Sequence, residues 1–155
     1  MTEQNNPFHK KKSGVFFFKS SNPYEFYDLL NGIDMEPKQD VWGTLIFPEN
    51  AKLPCPVIVP IHGSAGLREG HHTHMVNLLE AGFAVFRIHH FESRGVISIV
   101  ENQTQVTLAT MITDAFRALA LLNKHPDIDK NKIGIMGWSL GGSTALYAAW
   151  QPIID

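Results

Sequence analysis

Apolar residues occur along the chain in short runs and in helical spacings that follow one another. Alternation at residues 41–47 and β-branched runs at 54–61, 83–88 and 132–136 predict four strands, the last three of the type buried on both faces. Helical patterns separate the later runs, and the longest covers residues 103–122. Strands that alternate with helices predict an α/β fold, with a mostly parallel sheet and helices on both faces.

The first 40 residues predict less regular structure, with one short strand at 15–18 and an amphipathic segment at 24–30. No internal repeat, low-complexity tract or linker divides the chain. We therefore predict a single domain over residues 1–155. In this domain residues 1–40 supply a strand and turns, and residues 41–155 form the parallel core.

Composition restricts the classes of partner. The chain has 13 Lys and Arg against 15 Asp and Glu, a net charge of -2, and 44% hydrophobic residues. This balance favours a packed core and argues against nucleic acid as a partner. No apolar run approaches the roughly 20 residues of a membrane span, and the N-terminus lacks a signal-peptide pattern. We expect no membrane partner and a cytoplasmic location. Cys55 is the only cysteine, so an internal disulfide is impossible.

The candidate chemistry centres on residues 137–141, whose sequence GWSLG fits the pattern G-x-S-x-G. A buried-type strand precedes these residues and a helix rich in small residues follows, which is the setting of a nucleophile elbow. In such a turn the serine hydroxyl projects above the sheet, and flanking glycines avoid clashes with neighbouring backbone. We predict that Ser139 is a nucleophile for an ester-like carbonyl. The Leu140 N–H, at the start of the helix, is predicted to stabilise the oxyanion.

A glycine-rich loop, HGSAG at residues 62–66, follows the strand expected to lie beside the elbow strand. Glycine lets the backbone approach a substrate closely, so an N–H can point at developing negative charge. We predict that the Ser64 N–H is the second oxyanion donor, and each donor is worth about 3 kcal/mol in the transition state. His62 is a candidate substrate-binding residue. We expect it to shape the loop through a hydrogen bond, and a role as a substitute base for Ser139 is the alternative.

Several segments resemble the dienelactone hydrolase family: HGSAG (62–66), AGFAVF (81–86), FESRG (91–95), DAFRAL (114–119), DID (127–129) and GIMGWSLGG (134–142). The resemblance covers about residues 40–150 and implies a serine hydrolase that acts on an ester or lactone through an acyl-enzyme. It implies Ser139 as the nucleophile and Leu140 and Ser64 as oxyanion donors. It also implies Arg94 as a ligand of a substrate carboxylate. Serine stands where dienelactone hydrolases carry cysteine, so a carboxylesterase or peptidase-like relative is as plausible.

The expected order of the catalytic triad is serine, acid, histidine, and the last two follow strands beyond the nucleophile helix. The sequence ends at Asp155, soon after that helix. We therefore expect a truncated α/β-hydrolase fold that lacks the C-terminal strands, and a chain that alone is inactive and poorly soluble. His89 and His90 stand where the resemblance leads us to expect an acidic residue.

Two other interpretations stay open. Five histidines within twenty residues, His71, His72, His74, His89 and His90, could form a metal-binding module, because imidazole is a common zinc ligand. A non-catalytic interaction protein on a hydrolase scaffold is the other alternative. The favoured mechanism requires no organic cofactor and no metal, and its partner is a small-molecule ester or lactone. The oligomeric state is left open.

Overall fold

The computed structural model describes residues 13–154. Five strands form one sheet: β1 (Gly14–Ser20), β2 (Gln39–Ile46), β3 (Cys55–Ile61), β4 (Ala84–Ile88) and β5 (Ile128–Gly137). The helices are α1 (Phe26–Asn31), α2 (Glu69–Glu80), α3 (Leu108–Leu122), α4 (Leu140–Ala148) and α5 (Gln151–Ile154), with a 3₁₀ turn at Glu92–Arg94. The predicted α/β class is therefore confirmed.

The sheet has the strand order β1-β2-β4-β3-β5. Strand β3 pairs in parallel with both β4 and β5, and these three strands form the parallel core. The chain moves one way across the sheet from β3 through α2 to β4, and the opposite way from β4 through α3 to β5. Because parallel crossovers are right-handed, this reversal puts α2 and α3 on opposite faces.

Strand β2 differs from the prediction, which assigned it to the parallel core. It pairs antiparallel with β1 and with β4. The connection from β2 to β3 runs only from residue 47 to 54 and contains no helix. A parallel crossover needs a dozen or more residues, so a connection of this length returns the chain in the opposite direction.

The core packs around the two central strands. Alternating apolar side chains on one face of β3 and apolar side chains on both faces of β4 are buried. Helix α3 adds Met111 and Ile112, which are fully buried. At the edge of the sheet β5 pairs with β3 alone among the described strands. None of the helices within residues 13–154 has the length and apolarity that a membrane crossing needs.

Two elements, α3 and β5, start four or five residues away from the predicted position. Helix α3 begins at Leu108 rather than near residue 103, because the Thr107 hydroxyl accepts a hydrogen bond from the Thr110 N–H at 3.2 Å and caps the helix there. Strand β5 begins at Ile128, which pairs with Cys55 in β3, although the polar residues that follow hide this start in the sequence.

Candidate active site

The predicted elbow is present as a sharp turn between β5 and α4. Strand β5 ends at Gly137, helix α4 begins at Leu140, and Ser139 between them has φ 52° and ψ -120°. A non-glycine residue with positive φ is strained by about 1–3 kcal/mol, and such residues cluster at functional sites. The Ser139 side chain is exposed. The geometric part of the prediction is therefore confirmed.

Two glycines let the turn pack tightly. A Cβ on Gly137 would lie 2.0 Å from the Gly141 carbonyl oxygen, and a Cβ on Gly141 would lie 2.1 Å from the Ile61 carbonyl oxygen. Both contacts are with backbone, which cannot move aside as a flexible side chain can. The start of α4 therefore sits directly against the end of β3.

Residues 62–66, here named the oxyanion loop, lie beside the elbow as predicted. Ile61 is in parallel register with Gly137, and the Trp138 N–H donates to the Ile61 carbonyl at 3.1 Å. A Cβ on Gly63 would lie 3.2 Å from the Ser139 Cβ, so the loop passes close over the turn. The backbone N–H groups of Ser64 and Leu140 donate to no acceptor within the described chain. The structure thus brings an exposed hydroxyl and two available donors to one region.

A cleft of about 270 Å³ opens beside Ser139, and sequence reasoning missed part of its wall. Its lining consists of the glycine-rich loop, the elbow and three further side chains: Gly63, Ser64, Ala65, Gly66, Arg68, His71, Val100, Trp138 and Ser139. Arg68 and His71 come from the start of α2, which immediately follows the oxyanion loop. Their position in the sequence could have identified them as cleft residues, because the first turn of a helix that follows a parallel strand lies at the carboxyl edge of the sheet.

His71 is held by two contacts. Its ring stacks on Trp138 with ring centroids 4.3 Å apart, and its Nδ1 accepts the Arg68 N–H at 3.0 Å. Burial, followed by the charges of His74, His72 and Arg68, lowers the pKa of His71. The ring is therefore neutral at neutral pH, with its proton on Nε2.

His62 lies beneath the oxyanion loop and does not line the cleft. Only 2% of the residue is exposed, and its Nδ1 bonds the Gly63 carbonyl at 2.9 Å. The predicted loop-shaping hydrogen bond is confirmed, whereas the burial does not support the expected contact with substrate. Burial is the largest cause that lowers the pKa of His62, to about 4. The ring makes no hydrogen bond to Ser139 within the described residues.

Arg94 also departs from its expected role. Its guanidinium bonds the Asp114 carboxylate through two nitrogens at 2.9 and 3.0 Å, and the side chain is 7% exposed. Further hydrogen bonds go to Asn22 Oδ1 and the His90 carbonyl, both at 2.8 Å. The carboxylate that Arg94 meets is therefore an internal one, and a substrate carboxylate finds little of this side chain accessible.

Asp114, on α3, is the centre of a buried group that we name the Asp114 cluster: Ser20, His90, Arg94 and Asp114. His90 Nδ1 lies 2.8 Å from Asp114 Oδ2, and the Ser20 hydroxyl donates to Oδ1. Burial raises the pKa of Asp114, but the hydrogen bond from His90, followed by the hydrogen bonds and charge of Arg94, outweighs it and lowers the pKa overall. The carboxylate is therefore ionised and fully paired inside the protein.

Three of the five histidines proposed as a metal module, His71, His89 and His90, have separate partners. His89 stacks on Trp42 with centroids 5.4 Å apart, and its Nε2 lies 2.8 Å from Thr44 Oγ1. His90 faces Asp114, whereas His71 stacks on Trp138. Among residues 13–154, no three His, Cys, Asp or Glu side chains are grouped so that they could hold a metal ion.

Solved structures of similar fold include several ester hydrolases. Dienelactone hydrolase from Anabaena variabilis is 20% identical, with a TM-score of 0.61, over 90% of this chain and 58% of that chain. Est1E from Butyrivibrio proteoclasticus, with ferulic acid bound, is 25% identical with a TM-score of 0.58, over 71% of this chain and 43% of that chain. The glucuronoyl esterase from Solibacter usitatus is 18% identical with a TM-score of 0.54, over 88% of this chain and 48% of that chain.

The chain therefore spans less than two thirds of the length of these relatives, and the matches cover between 71% and 90% of this chain. A search of curated protein sequences finds no significant match. The family model BD-FAE matches residues 44–152. Because this match runs from β2 through the parallel core, the elbow and α4, the chain belongs to the BD-FAE family and has the fold of the α/β-hydrolases.

Proposed function

We propose that the protein is a serine hydrolase that cleaves a carboxylic ester or lactone through an acyl-enzyme formed on Ser139. The observation that carries the proposal is the strained turn at this residue, which holds an exposed hydroxyl between β5 and α4. The neighbouring oxyanion loop supports it, because a second unpaired N–H lies on the same side of the elbow. Strain and unpaired donors together are typical of a preorganised reactive site.

The proposed reaction proceeds in two halves. A base removes the Ser139 proton while Oγ forms a bond to the carbonyl carbon, and the electron pair of the C=O moves to the oxygen. The N–H groups of Leu140 and Ser64 bind this oxyanion. Collapse restores the C=O and expels the alcohol oxygen, which takes the proton. Water then repeats the sequence on the acyl-enzyme and releases the acid.

The base is proposed to come from a part of the protein beyond the described residues. Within residues 13–154 no histidine bonds the Ser139 hydroxyl, and His62 is committed through Nδ1 to the Gly63 carbonyl. The length of the relatives is consistent with this proposal, since the chain spans 58% of the Anabaena dienelactone hydrolase. The steps use protein groups and water, so they need neither a metal nor an organic cofactor.

The cleft favours a small-molecule ester. Its volume of about 270 Å³ suits a compact acyl or alcohol group, and the stacked rings of His71 and Trp138 give one wall a flat surface. The names of the relatives point to the same class of substrate, since they mention a dienelactone, ferulic acid and a glucuronoyl ester.

A fluorophosphonate probe tests the proposal in a protein that includes the proposed base, because the probe reacts with activated serines. We expect a covalent adduct on Ser139, its loss in Ser139→Ala, and its retention in Ser143→Ala, which removes a serine one turn further along α4. The same Ser139→Ala variant is expected to lower p-nitrophenyl acetate hydrolysis by at least about 10⁴-fold. Unchanged hydrolysis in Ser139→Ala would contradict the proposal, and an unlabelled wild-type protein would favour the non-catalytic alternative.

A further inference from the structure

Two buried imidazole rings meet beneath the oxyanion loop. His62 follows the end of β3 and His90 lies just beyond the end of β4, so the neighbouring parallel strands bring them together. Their ring centroids are 5.8 Å apart, and the rings meet edge to face at 83°. His62 is 2% exposed and His90 is 0% exposed, so neither ring has access to bulk solvent.

Hydrogen bonds fix the tautomer of each ring. The Nδ1 of His62 faces the Gly63 carbonyl at 2.9 Å, and the Nδ1 of His90 faces the Asp114 carboxylate at 2.8 Å. Both partners are acceptors, so both Nδ1 atoms carry a hydrogen. In a neutral imidazole the other nitrogen is then an acceptor. The two Nε2 atoms are therefore two hydrogen-bond acceptors in adjacent buried rings.

Neither Nε2 has a hydrogen-bond partner in the described chain. An unsatisfied buried acceptor costs about 1–3 kcal/mol, and native proteins seldom leave two together. A water molecule supplies two O–H donors and is the usual solution in a buried polar site. The Arg94 guanidinium next to His90 does not supply this hydrogen, because it is directed at Asp114, Asn22 and the His90 carbonyl.

Hydrogen bonds from the Arg94 guanidinium already balance the charge of the Asp114 carboxylate inside the cluster. The His62 Nε2 is outside direct hydrogen-bonding distance of His90, so the two rings do not satisfy each other.

We propose that His62 Nε2 and His90 Nε2 bind one buried water molecule, and that His90 acts through this water as a positioning residue for the oxyanion loop. The connection runs from Asp114 through His90 and the water to His62, whose Nδ1–H holds the Gly63 carbonyl next to Ser64. The catalytic part of this inference rests on the proposed function. The water and the tautomers do not depend on it.

The first experiment measures the site itself in the whole protein. Long-range ¹H–¹⁵N correlation spectra of the histidine side chains are expected to show the Nδ1–H tautomer for both His62 and His90. A high-resolution crystal structure is expected to show one ordered water within hydrogen-bonding distance of both Nε2 atoms. An Nε2–H tautomer on either ring, or a dry site, would overturn the proposal even if Ser139 is an active nucleophile.

The second experiment uses His90→Asn, because the shorter carboxamide can replace the Nδ1–H donor to Asp114 and does not reach the position of Nε2. We expect kcat for ester hydrolysis to fall about tenfold, because a displaced oxyanion donor stabilises the transition state less well. KM and the melting temperature are expected to stay nearly unchanged.

The matched control is His125→Asn, which alters another buried histidine at the opposite ends of the parallel strands. Its kcat is expected to equal that of the wild type. Equal kcat in His90→Asn and wild type would refute the positioning role. If the wild-type protein is not labelled at Ser139, the proposed function fails, whereas the spectra and the water still decide the buried site.

Discussion

The elbow and the Asp114 cluster lie near the same edge of the sheet, yet they hold their polar groups by opposite means. At the elbow, glycine backbone packs against backbone, and Ser139 keeps a strained φ of 52° with an exposed hydroxyl. In the Asp114 cluster, the carboxylate is fully buried and accepts hydrogen bonds from Ser20, His90 and Arg94. The elbow leaves its N–H donors and its hydroxyl available, whereas the Asp114 cluster leaves almost no polar group without a partner.

This difference indicates a division of roles. A reactive group needs partners that are free until the substrate arrives, so it cannot be stabilised by its own hydrogen bonds. Stiffness then comes from adjacent structure that is fully paired. His62 joins the two regions, because its Nδ1 bonds the Gly63 carbonyl in the oxyanion loop and its ring packs against that of His90, with ring centroids 5.8 Å apart.

The largest expected effect comes from removing the charge at the centre of the Asp114 cluster. Asp114→Asn leaves the Arg94 guanidinium buried without a counter-charge, so we expect the free energy of unfolding to fall by about 3–5 kcal/mol. Urea denaturation measures this change. The matched control is Glu92→Gln, which breaks the Arg87–Glu92 ion pair. The Glu92 side chain is 38% exposed. Solvent screens that pair, so a loss below about 1 kcal/mol is expected. Equal losses of unfolding free energy in both variants would show that burial does not distinguish the Asp114 cluster from the Arg87–Glu92 ion pair.

The next effect concerns pH and the ring that joins the two regions. The pKa of His62 is lowered from 6.5 to about 4, so between these values the unfolded chain takes up a proton that the folded protein excludes. The free energy of unfolding is therefore expected to fall by about 2–3 kcal/mol as pH decreases from 6.5 to 4. His62→Gln should have a flatter profile over that interval, as measured by urea denaturation at several pH values. A parallel profile in the variant would assign the slope to other groups.

The smallest effect reports the strain at the elbow. Ser139→Gly places a residue that tolerates positive φ at a strained position, so a gain of about 1 kcal/mol in unfolding free energy is expected, together with complete loss of fluorophosphonate labelling. The control Ser143→Gly, inside α4, should instead lose about 0.5–1 kcal/mol. Destabilisation of similar size in both variants would mean that Ser139 is not strained.

Much of the fold could be predicted because its signals are local. Buried β-branched runs indicated β3 and β4, and the GWSLG pattern between a strand and a helix indicated the elbow. The antiparallel direction of β2 depends on a connection length that periodicity does not report. The start of α3 depends on one capping hydroxyl, that of Thr107.

The Asp114 cluster could not be predicted, because its members are distant in sequence. Arg94 and Asp114 are separated by twenty positions, and Ser20 lies in β1, more than ninety positions before Asp114. Asp114 lies within the apolar pattern of α3, where a single carboxylate reads as an exposed residue. A resemblance that assigned Arg94 to a substrate carboxylate identified the right kind of partner, and the structure shows that the partner is internal.

The register between Ile61 and Gly137 has an evolutionary consequence. It joins the elbow to the oxyanion loop through main chain and glycine, so this contact does not use the side chains at positions 64 and 138. Those positions, together with 68 and 71, can be exchanged during divergence without rebuilding the chemistry. Under the proposed function, selection for a new ester can therefore act on the walls of the cleft while the elbow beneath it stays intact.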